Sequence, residues 1–331
     1  MDALAEPLLQ RLPDPSLALS LSIVVPVLDE EDSVGELHRQ MTGALGTLGI
    51  EYEILFVDDG SRDGTFERLA ALQAADSHVR VISLRRRFGK TAALVAGFKE
   101  SSGSVVITMD GDLQDDPNEI PRFLGSLEEG NDLVVGWKRL RHDPASKTLP
   151  SKIFNAAVRT SSGIPIHDFN CGFKAYRREV LDDLRLYGDM HRFVPVMAHW
   201  KGYKVAEIEV NHRERQYGRS KFGAGRVISG MFDFVRVLFL TRYMQKPLQL
   251  FGGAGLVLFL TGVGCGVYLG ILKFIAGESI GLSHLPLLFL TVMLILFGAL
   301  LFAIGLVGEM QRHFGYRATE EYSVRVRLPP V

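Results

Sequence analysis

The stretch "VITMDGDLQDDPNEIP", residues 106–121, decides how this chain is read. An apolar run climbs to Met109 and then meets four carboxylates, Asp110, Asp112, Asp115 and Asp116. Two readings compete. One is a solvated turn, because Asp, Gly and Asn favour turns and Pro117 can open a helix at its first position. The other is a metal site. Two carboxylates one residue apart at a strand end, Asp110 and Asp112, can share a hard divalent cation, with Gln114 as a third oxygen. Such a cation commonly also holds substrate phosphates.

The flanking sequence favours a site. From about residue 21 to 225, strand-like and helix-like segments alternate. "LSIVVPV" reads as a buried strand, and "SVGELHRQMTGALGTLG" as an amphipathic helix closed by Gly49. "YEILFVDDG" and "GTFERLAALQAA" repeat the pair, as do "VRVISL" and "GKTAALVAGFKES". "SVVITMD" follows. Near-continuous apolar strands alternating with helices predict a parallel, doubly wound α/β sheet. Ligands of such sheets bind beyond the carboxyl ends of the strands. Asp29 and Glu30, Asp58 and Asp59, and Asp110 and Asp112 all fall at those ends.

The chemistry changes near residue 248. "LQLFGGAGLVLFLTGVGCGVYLGIL" carries no charge before Lys273, and "LPLLFLTVMLILFGALLFAIGLVG" none before Glu309. Each exceeds the roughly 20 apolar residues that a helix needs to cross a bilayer. Arg236, Arg242 and Lys246 precede the first span, Arg312, His313 and Arg317 follow the second, and the connecting loop carries little basic charge. This asymmetry predicts that both ends and the large domain are cytoplasmic. Between the halves, Val227, Met231, Phe234, Val235 and Leu238 share one helical face, and Arg226, Ser229, Asp233 and Arg236 the opposite one. That fits a helix lying in the membrane interface; a plain linker helix is the alternative. The expected organisation is an extension over 1–20, a catalytic α/β domain over 21–225, and an interface helix over 226–247. Two transmembrane helices over 248–308 and a cytoplasmic tail over 309–331 complete it. In the tail, "YSVRVRL" alternates like a strand that could join a sheet edge or a neighbouring subunit, as in a homo-oligomer.

The 331 residues carry a net charge of -1, which points away from bulk nucleic-acid binding. Two cysteines exclude a cysteine-rich metal site, make a disulfide framework improbable and fit a reducing compartment. "SLALSLSIVVPV" could pass for a signal-peptide core. However, Asp2, Glu6 and Asp14 outweigh Arg11 before it, so it reads as a lead-in and a strand.

Five motifs in order, "SIVVPVLDEEDS", "EILFVDDGSRDGT", "FGKTAALVAGF", "VITMDGDLQDDP" and "DFNCGFKAYRREVL", resemble the family 2 glycosyltransferases. The two spans narrow the resemblance to the polyprenyl-phosphate branch, which includes dolichol-phosphate mannose synthases and bactoprenol glucosyltransferases. The likeness covers about residues 20 to 310. It implies a nucleotide-sugar-binding α/β domain of the GT-A type and inverting transfer of one hexose to a polyprenyl phosphate at the inner membrane. It also implies a divalent cation, Mg²⁺ or Mn²⁺. Matched residue by residue, it places Pro26 and Glu30 near the nucleotide base, and Asp58 and Asp59 near base and ribose. Asp110, Asp112 and Gln114 fall at the metal, and Lys138 at a phosphate. Asp168 lies on the sugar and acceptor side. Arg215, Ser220 and Lys221 match a loop closing over the diphosphate.

The residues support these roles on their own terms. A nucleoside diphosphate leaving group needs positive charge, which a cation at Asp110 and Asp112 with Arg215 and Lys221 would supply. A solvated charge cluster beside anionic lipid is the alternative for Arg215 and Lys221. A lipid phosphate is already anionic, so Asp168 is as apt to orient a substrate as to take a proton. Arg85, Arg86, Arg87 and Lys90 form a positive patch suited to a phosphate or headgroup, or simply a basic turn.

The chain also departs from the family pattern. Leu28 and Asp29 stand where many relatives have Tyr and Asn, which clouds base selectivity, and Arg87 stands where relatives often carry Asn. "FGKT" lacks the first glycine of a P-loop, because Leu84 stands there. No G-x-G-x-x-G follows the first strand, which disfavours a dinucleotide dehydrogenase. A processive polysaccharide synthase would show Gln-x-x-Arg-Trp and more spans. The remaining rivals are a non-catalytic membrane scaffold with the same fold, or transfer to another lipid or polysaccharide acceptor.

Overall fold

The structure is a computed structural model that describes residues 20–139, 155–156, 158–160, 162–188, 190–213, 247–276 and 284–315. Arg215, Ser220, Lys221, the expected interface helix up to residue 246 and the "YSVRVRL" segment lie outside the described residues. The chain divides into two compact units, one holding the described residues up to 213 and the other those from 247.

The first unit is built on a seven-stranded sheet. Its strands are β1 (Leu21–Val27), β2 (Tyr52–Asp58), β3 (Val79–Ser83), β4 (Val105–Thr108), β5 (Leu133–Trp137), β6 (Lys174–Arg177) and β7 (Val205–Glu209), in the order β3-β2-β1-β4-β6-β5-β7. Its helices include α1 (Val34–Leu45), α2 (Thr65–Ala75), α3 (Lys90–Glu100), α4 (Ile120–Glu128), α5 (Arg178–Asp183) and α6 (Val194–Trp200). The run "LSIVVPV" forms the central strand because its apolar side chains are sealed on both faces; Ile23, Val24 and Val25 are fully buried. α3 packs against β1 and β2, and Gly97 permits it, since a Cβ there would sit 2.3 Å from Val24 Cγ1. α1 ends at Leu45 rather than at Gly49. A turn follows, in which Gly49 takes a φ of +64°.

Strands β1 to β4 run parallel, as the alternating pattern predicts. The sheet as a whole is mixed, because β6 lies antiparallel between β4 and β5. This reversal sets Lys174, the first residue of β6, opposite Thr108, the last of β4. The chain leading into β6 therefore lies at the same edge as the acid-rich loop.

The strand order reverses between β1 and β4, which opens a crevice beyond their carboxyl ends. β4 pairs with β1 only as far as Val24, whereas β2 accompanies β1 to Val27. Carbonyls of Ser20 and Val24 bond to the β4 side, so Pro26, two residues on, points its missing donor past the end of β4. A proline is thereby accommodated in a central strand without losing a ladder bond.

The second unit is a pair of apolar helices, α7 (Gly253–Phe274), entered through a π-helical turn at Leu248–Gly252, and α8 (Leu285–Gly315). Leu248–Phe274 and Leu285–Gln311 are each long and apolar enough to cross a membrane. The two helices meet on glycines. A Cβ on Gly255 would lie 2.6 Å from the Gly298 carbonyl, and one on Gly298 would lie 2.5 Å from the Phe259 amide. Gly262 meets Ile295 in the same way. Small residues let backbones approach closely where lipid offers no hydrophobic drive for association.

Candidate active site

The four carboxylates after β4 divide into two kinds. Asp115 and Asp116 build the loop. Asp115 is 1% exposed; its Oδ2 accepts from the Asp110 amide at 3.1 Å, and its Oδ1 lies 2.7 Å from Lys138 Nζ. Asp116 caps the turn opened by Pro117, accepting from the Asn118 amide at 3.0 Å, and pairs with Arg213 Nη2 at 2.6 Å. The turn reading is thus right for Asp116. Asp110 and Asp112 are the half-buried members, and their loop faces the crevice. Between them and Gln114, Leu113 holds a φ of +62° with its side chain buried. A branched residue in the left-handed region is costly, and such strain concentrates at functional sites. The loop is also tied to the first strand's turn: Ser33 Oγ lies 2.8 Å from the Gly111 carbonyl and 3.1 Å from Glu30 Oε2.

Three lysines converge on this loop. Lys90 Nζ pairs with Asp110 Oδ1, Lys138 with Asp115, and Lys174, 3% exposed, donates to the Cys171 carbonyl. Burial works against the Asp110 charge, but Lys90, Lys138 and Lys174 outweigh it and hold the carboxyl well below its usual range. Burial likewise opposes the Lys138 ammonium, yet Asp115 and Asp110 raise its pKa. For Lys174 burial wins and lowers the pKa to about 8; for the Cys171 thiol burial raises it to about 12. Cys171 is therefore a buried thiol without thiolate character.

Asp110 and Asp112 suit a hard cation. Asp110 is an ionised oxygen donor, and the backbone makes room for it: a Cβ on Gly172 would lie 2.5 Å from Asp110 Oδ1. Among the described residues no three His, Cys, Asp or Glu side chains gather as a metal cage. Two carboxylates completed by substrate oxygens is the usual arrangement for Mg²⁺ at a phosphate site.

Asp168 sits at the same edge, 1% exposed. Its Oδ1 accepts from the Asn170 amide at 3.2 Å and lies 3.4 Å from Asn155 Nδ2. Glu207 on β7 fixes this turn, accepting from the backbone amides of His167 (2.8 Å) and Asp168 (2.9 Å).

The acids after β1 and β2 have definite partners. Asp58 accepts from the Ser61 amide and from Ser83 Oγ. Asp59 accepts from the amides of Phe88 and Gly89. Asp29 takes a φ of +48° and accepts from the Arg62 amide at 2.8 Å. An Asp tolerates this left-handed conformation as an Asn would, so the departure from the family pattern keeps the turn. Sequence reading missed Lys174, Glu207, Arg213 and Asn155. The partners of Glu207, Arg213 and Asn155 lie 13 or more residues away, and no local spacing marks them; Lys174 bonds to a backbone carbonyl, which no side-chain pattern announces. Only the quoted "DFNCGFK" motif contained a hint, since Lys174 ends it.

Comparison with known proteins agrees with this geometry. Residues 22–185 match the Glycosyl transferase family 2 domain. The dodecaprenyl-phosphate galacturonate synthase of Rhizobium johnstonii is 36% identical over 319 residues, covering 94% of both chains. An undecaprenyl-phosphate 4-deoxy-4-formamido-L-arabinose transferase of Salmonella paratyphi A is 37% identical over 290 residues, covering 87% of both. Among solved structures, glucosyl-3-phosphoglycerate synthase from Mycobacterium tuberculosis in complex with Mn²⁺, uridine diphosphate and phosphoglyceric acid shares the fold. Its TM-score is 0.51 at 24% identity, over 65% of this chain and 78% of that one. The strand order, the acid loop at the switch point and the near full-length likeness converge: this chain belongs to glycosyltransferase family 2, within its polyprenyl-phosphate sugar transferases.

Proposed function

We propose that this enzyme transfers a single hexose from a UDP- or GDP-sugar to a polyprenyl phosphate and releases the nucleoside diphosphate. It would work in the inner membrane, with the α/β unit and both termini on the cytoplasmic side. The observation that carries the reading is the Asp110–Asp112 loop, half-buried at the switch point and ringed by Lys90, Lys138 and Lys174. The full-length relatives named for single-sugar transfer to polyprenyl phosphates support the reaction class. Their sugars, a uronic acid and a formamido-arabinose, show how widely the donor varies within it.

Asp110 and Asp112, with Gln114, are the residues to hold Mg²⁺ or Mn²⁺, which when bound would neutralise charge on the diphosphate. A solved structure of the same fold contains Mn²⁺ with uridine diphosphate, which supports this assignment. Lys138 holds the loop from below through Asp115, so its contribution to the phosphates is a background potential. Pro26, Glu30, Asp58 and Asp59 line the base and ribose end; Asp58 and Asp59 act there by fixing turns. Arg215, Ser220 and Lys221 would close over the diphosphate.

The acceptor phosphate is the nucleophile. Attack opposite the leaving diphosphate inverts the anomeric centre, turning an α-linked donor into a β-linked lipid-phosphate sugar. An anionic phosphate needs no strong base. The buried contacts of Asp168 with Asn155 and Asn170 favour a role in orienting substrate over proton transfer.

The test is a transfer assay with the full chain in detergent, Mn²⁺ and undecaprenyl phosphate. UDP-glucose, UDP-galacturonate, UDP-N-acetylglucosamine and GDP-mannose are offered separately, with mass spectrometry of the lipid. One donor should give a mono-glycosylated lipid phosphate, and EDTA should abolish it. Full turnover in EDTA would remove the cation. No product from any donor, despite nucleotide binding, would remove the proposed donor or acceptor class.

A further inference from the structure

Two ion pairs sit beneath and beside the acid loop, and they differ in access. Lys138–Asp115 is sealed, with side chains 10% and 0% exposed. Lys90–Asp110 is open, at 34% and 29%. A structural pair has no need of such access. Lys90 also occupies a costly position. It is the first residue of α3, where a positive charge opposes the helix dipole.

The chain spends further constraint to keep it there. Asp59, 4% exposed, grips the loop before Lys90 with both oxygens, accepting from Phe88 N at 2.7 Å and Gly89 N at 2.8 Å. Gly89 itself holds a φ of +101°, a conformation that L side chains rarely adopt. One residue on, Thr91 Oγ1 and His191 Nδ1 meet at 2.7 Å and fix the first turn of the helix. The ammonium is thereby aimed at Asp110, one of the two carboxylates on the crevice-facing loop that are expected to ligate the cation.

We infer that Lys90 is a resident cation on Asp110, set by Asp59 as a positioning residue, which a divalent ion displaces only when a diphosphate arrives with it. The physical reason is an exchange of partners. A divalent ion entering alone must strip Asp110 of its ammonium and leave Lys90 without an anion. An ion entering with a diphosphate gives the released ammonium a new anionic partner a few ångströms away, so the exchange keeps every charge matched. Metal alone then binds weakly, and metal with nucleotide binds together. This inference rests on the reading of Asp110 and Asp112 as cation ligands.

The test counts free Mn²⁺ by electron paramagnetic resonance during titration of the full chain in detergent, with and without UDP. Without UDP, Lys90→Met should bind Mn²⁺ about tenfold more tightly than the wild type, and Lys90→Arg should stay near the wild type. Asp59→Asn, which loosens the grip on Gly89, should shift affinity in the same direction as Lys90→Met. With UDP, the wild type should gain far more Mn²⁺ affinity than Lys90→Met. A change below threefold in Lys90→Met without UDP, or a weakening, overturns the inference. Lys90→Arg keeps the test informative if the Met variant misfolds, because a tightening in Arg would equally contradict it. If no variant binds Mn²⁺ even with UDP, the cation reading falls and takes this inference with it, while glycolipid formation in EDTA would leave the transfer reaction standing.

Discussion

The α/β unit and the helix pair are both rich in aliphatic residues, yet they bury opposite things. In the sheet, Ile23, Val24, Ile54 and Leu55 are fully enclosed, and charges gather at one edge. In the helix pair, Leu260, Leu296 and Phe297 stay more than half exposed, while Gly255, Gly262 and Gly298 make the contact. A core helix of a water-solvated fold buries most of its apolar surface. These two spans bury 17% and 11% of their most apolar windows. The difference teaches that one unit is solved for water and the other for hydrocarbon. In water, side-chain burial drives packing. In lipid, a leucine gains little by leaving the tails, so close backbone approach becomes the means of association.

The comparison breaks first at the sealed charge pair. If the α/β unit tolerates interior charge only in pairs, Lys138→Met strands Asp115 and should cost about 3–5 kcal/mol in stability. Denaturant unfolding followed by Trp137 fluorescence reads this. Adding Asp115→Asn should recover part of the loss, since the two residues share one interaction. A cost below about 1 kcal/mol for the single change would mean that the pair is effectively solvated.

The acid loop sharpens the contrast within the same unit. Asp112→Ala should lower turnover at least about a hundredfold, near 3 kcal/mol of transition-state stabilisation, with little effect on unfolding. Asp116→Ala should do the reverse, losing about 1 kcal/mol of stability through its cap while retaining most activity. Equal kinetic losses in both variants would erase the division between building and reacting carboxylates.

The helix pair offers the mirror test. Gly298→Leu should disrupt the pair by about 1–3 kcal/mol, the usual cost of overpacking. Leu296→Phe, on the exposed side, should be close to neutral. Thermal aggregation in detergent micelles distinguishes them. A neutral Gly298→Leu would show that the glycines are not the seam.

The last effect is in pH. His191 is driven down to about 2, by burial first and then by Lys90, Arg192 and Lys174, against a weaker pull from Asp110. In the unfolded chain it protonates near the ordinary histidine value of 6.5. Below that pH the unfolded chain binds a proton that the native state refuses, so stability falls as pH drops. By pH 5 the loss reaches at most about 2 kcal/mol. His191→Gln should flatten the acid limb of a stability-against-pH curve. An unchanged limb would show that this ring titrates normally in the folded protein.

Much of this was legible along the chain. β1 runs over the same residues as the run "LSIVVPV", because a strand sealed on both faces is mostly apolar, with Ser22 bonded to Glu53 as the exception. The two spans were equally plain, since length and missing charge are local properties. The pairing of Asp110 with Asp112 came from spacing alone. Other features were not local. The partners of Asp115 and Asp116 could not be read from the loop, since Lys138 and Arg213 stand 23 and 97 residues away. The resemblance sets Asp59 near base and ribose, but its grip on amides 29 and 30 residues on could not be read from the chain. The antiparallel insertion of β6 had no signature, because the four residues "KAYR" carry no pattern that fixes which way a strand runs.

What the sequence by itself determined, then, was the solvent of each half, the alternation of the first, and the chemistry available at the strand ends. These follow from side-chain polarity and period, which each segment carries within itself. Only the tertiary structure decided which carboxylate stays open to the crevice and which one builds the loop. A charge takes its role from the opposite charge it meets and the water it loses. Both are set by segments that the chain brings together only when the strand order turns at β1 and β4.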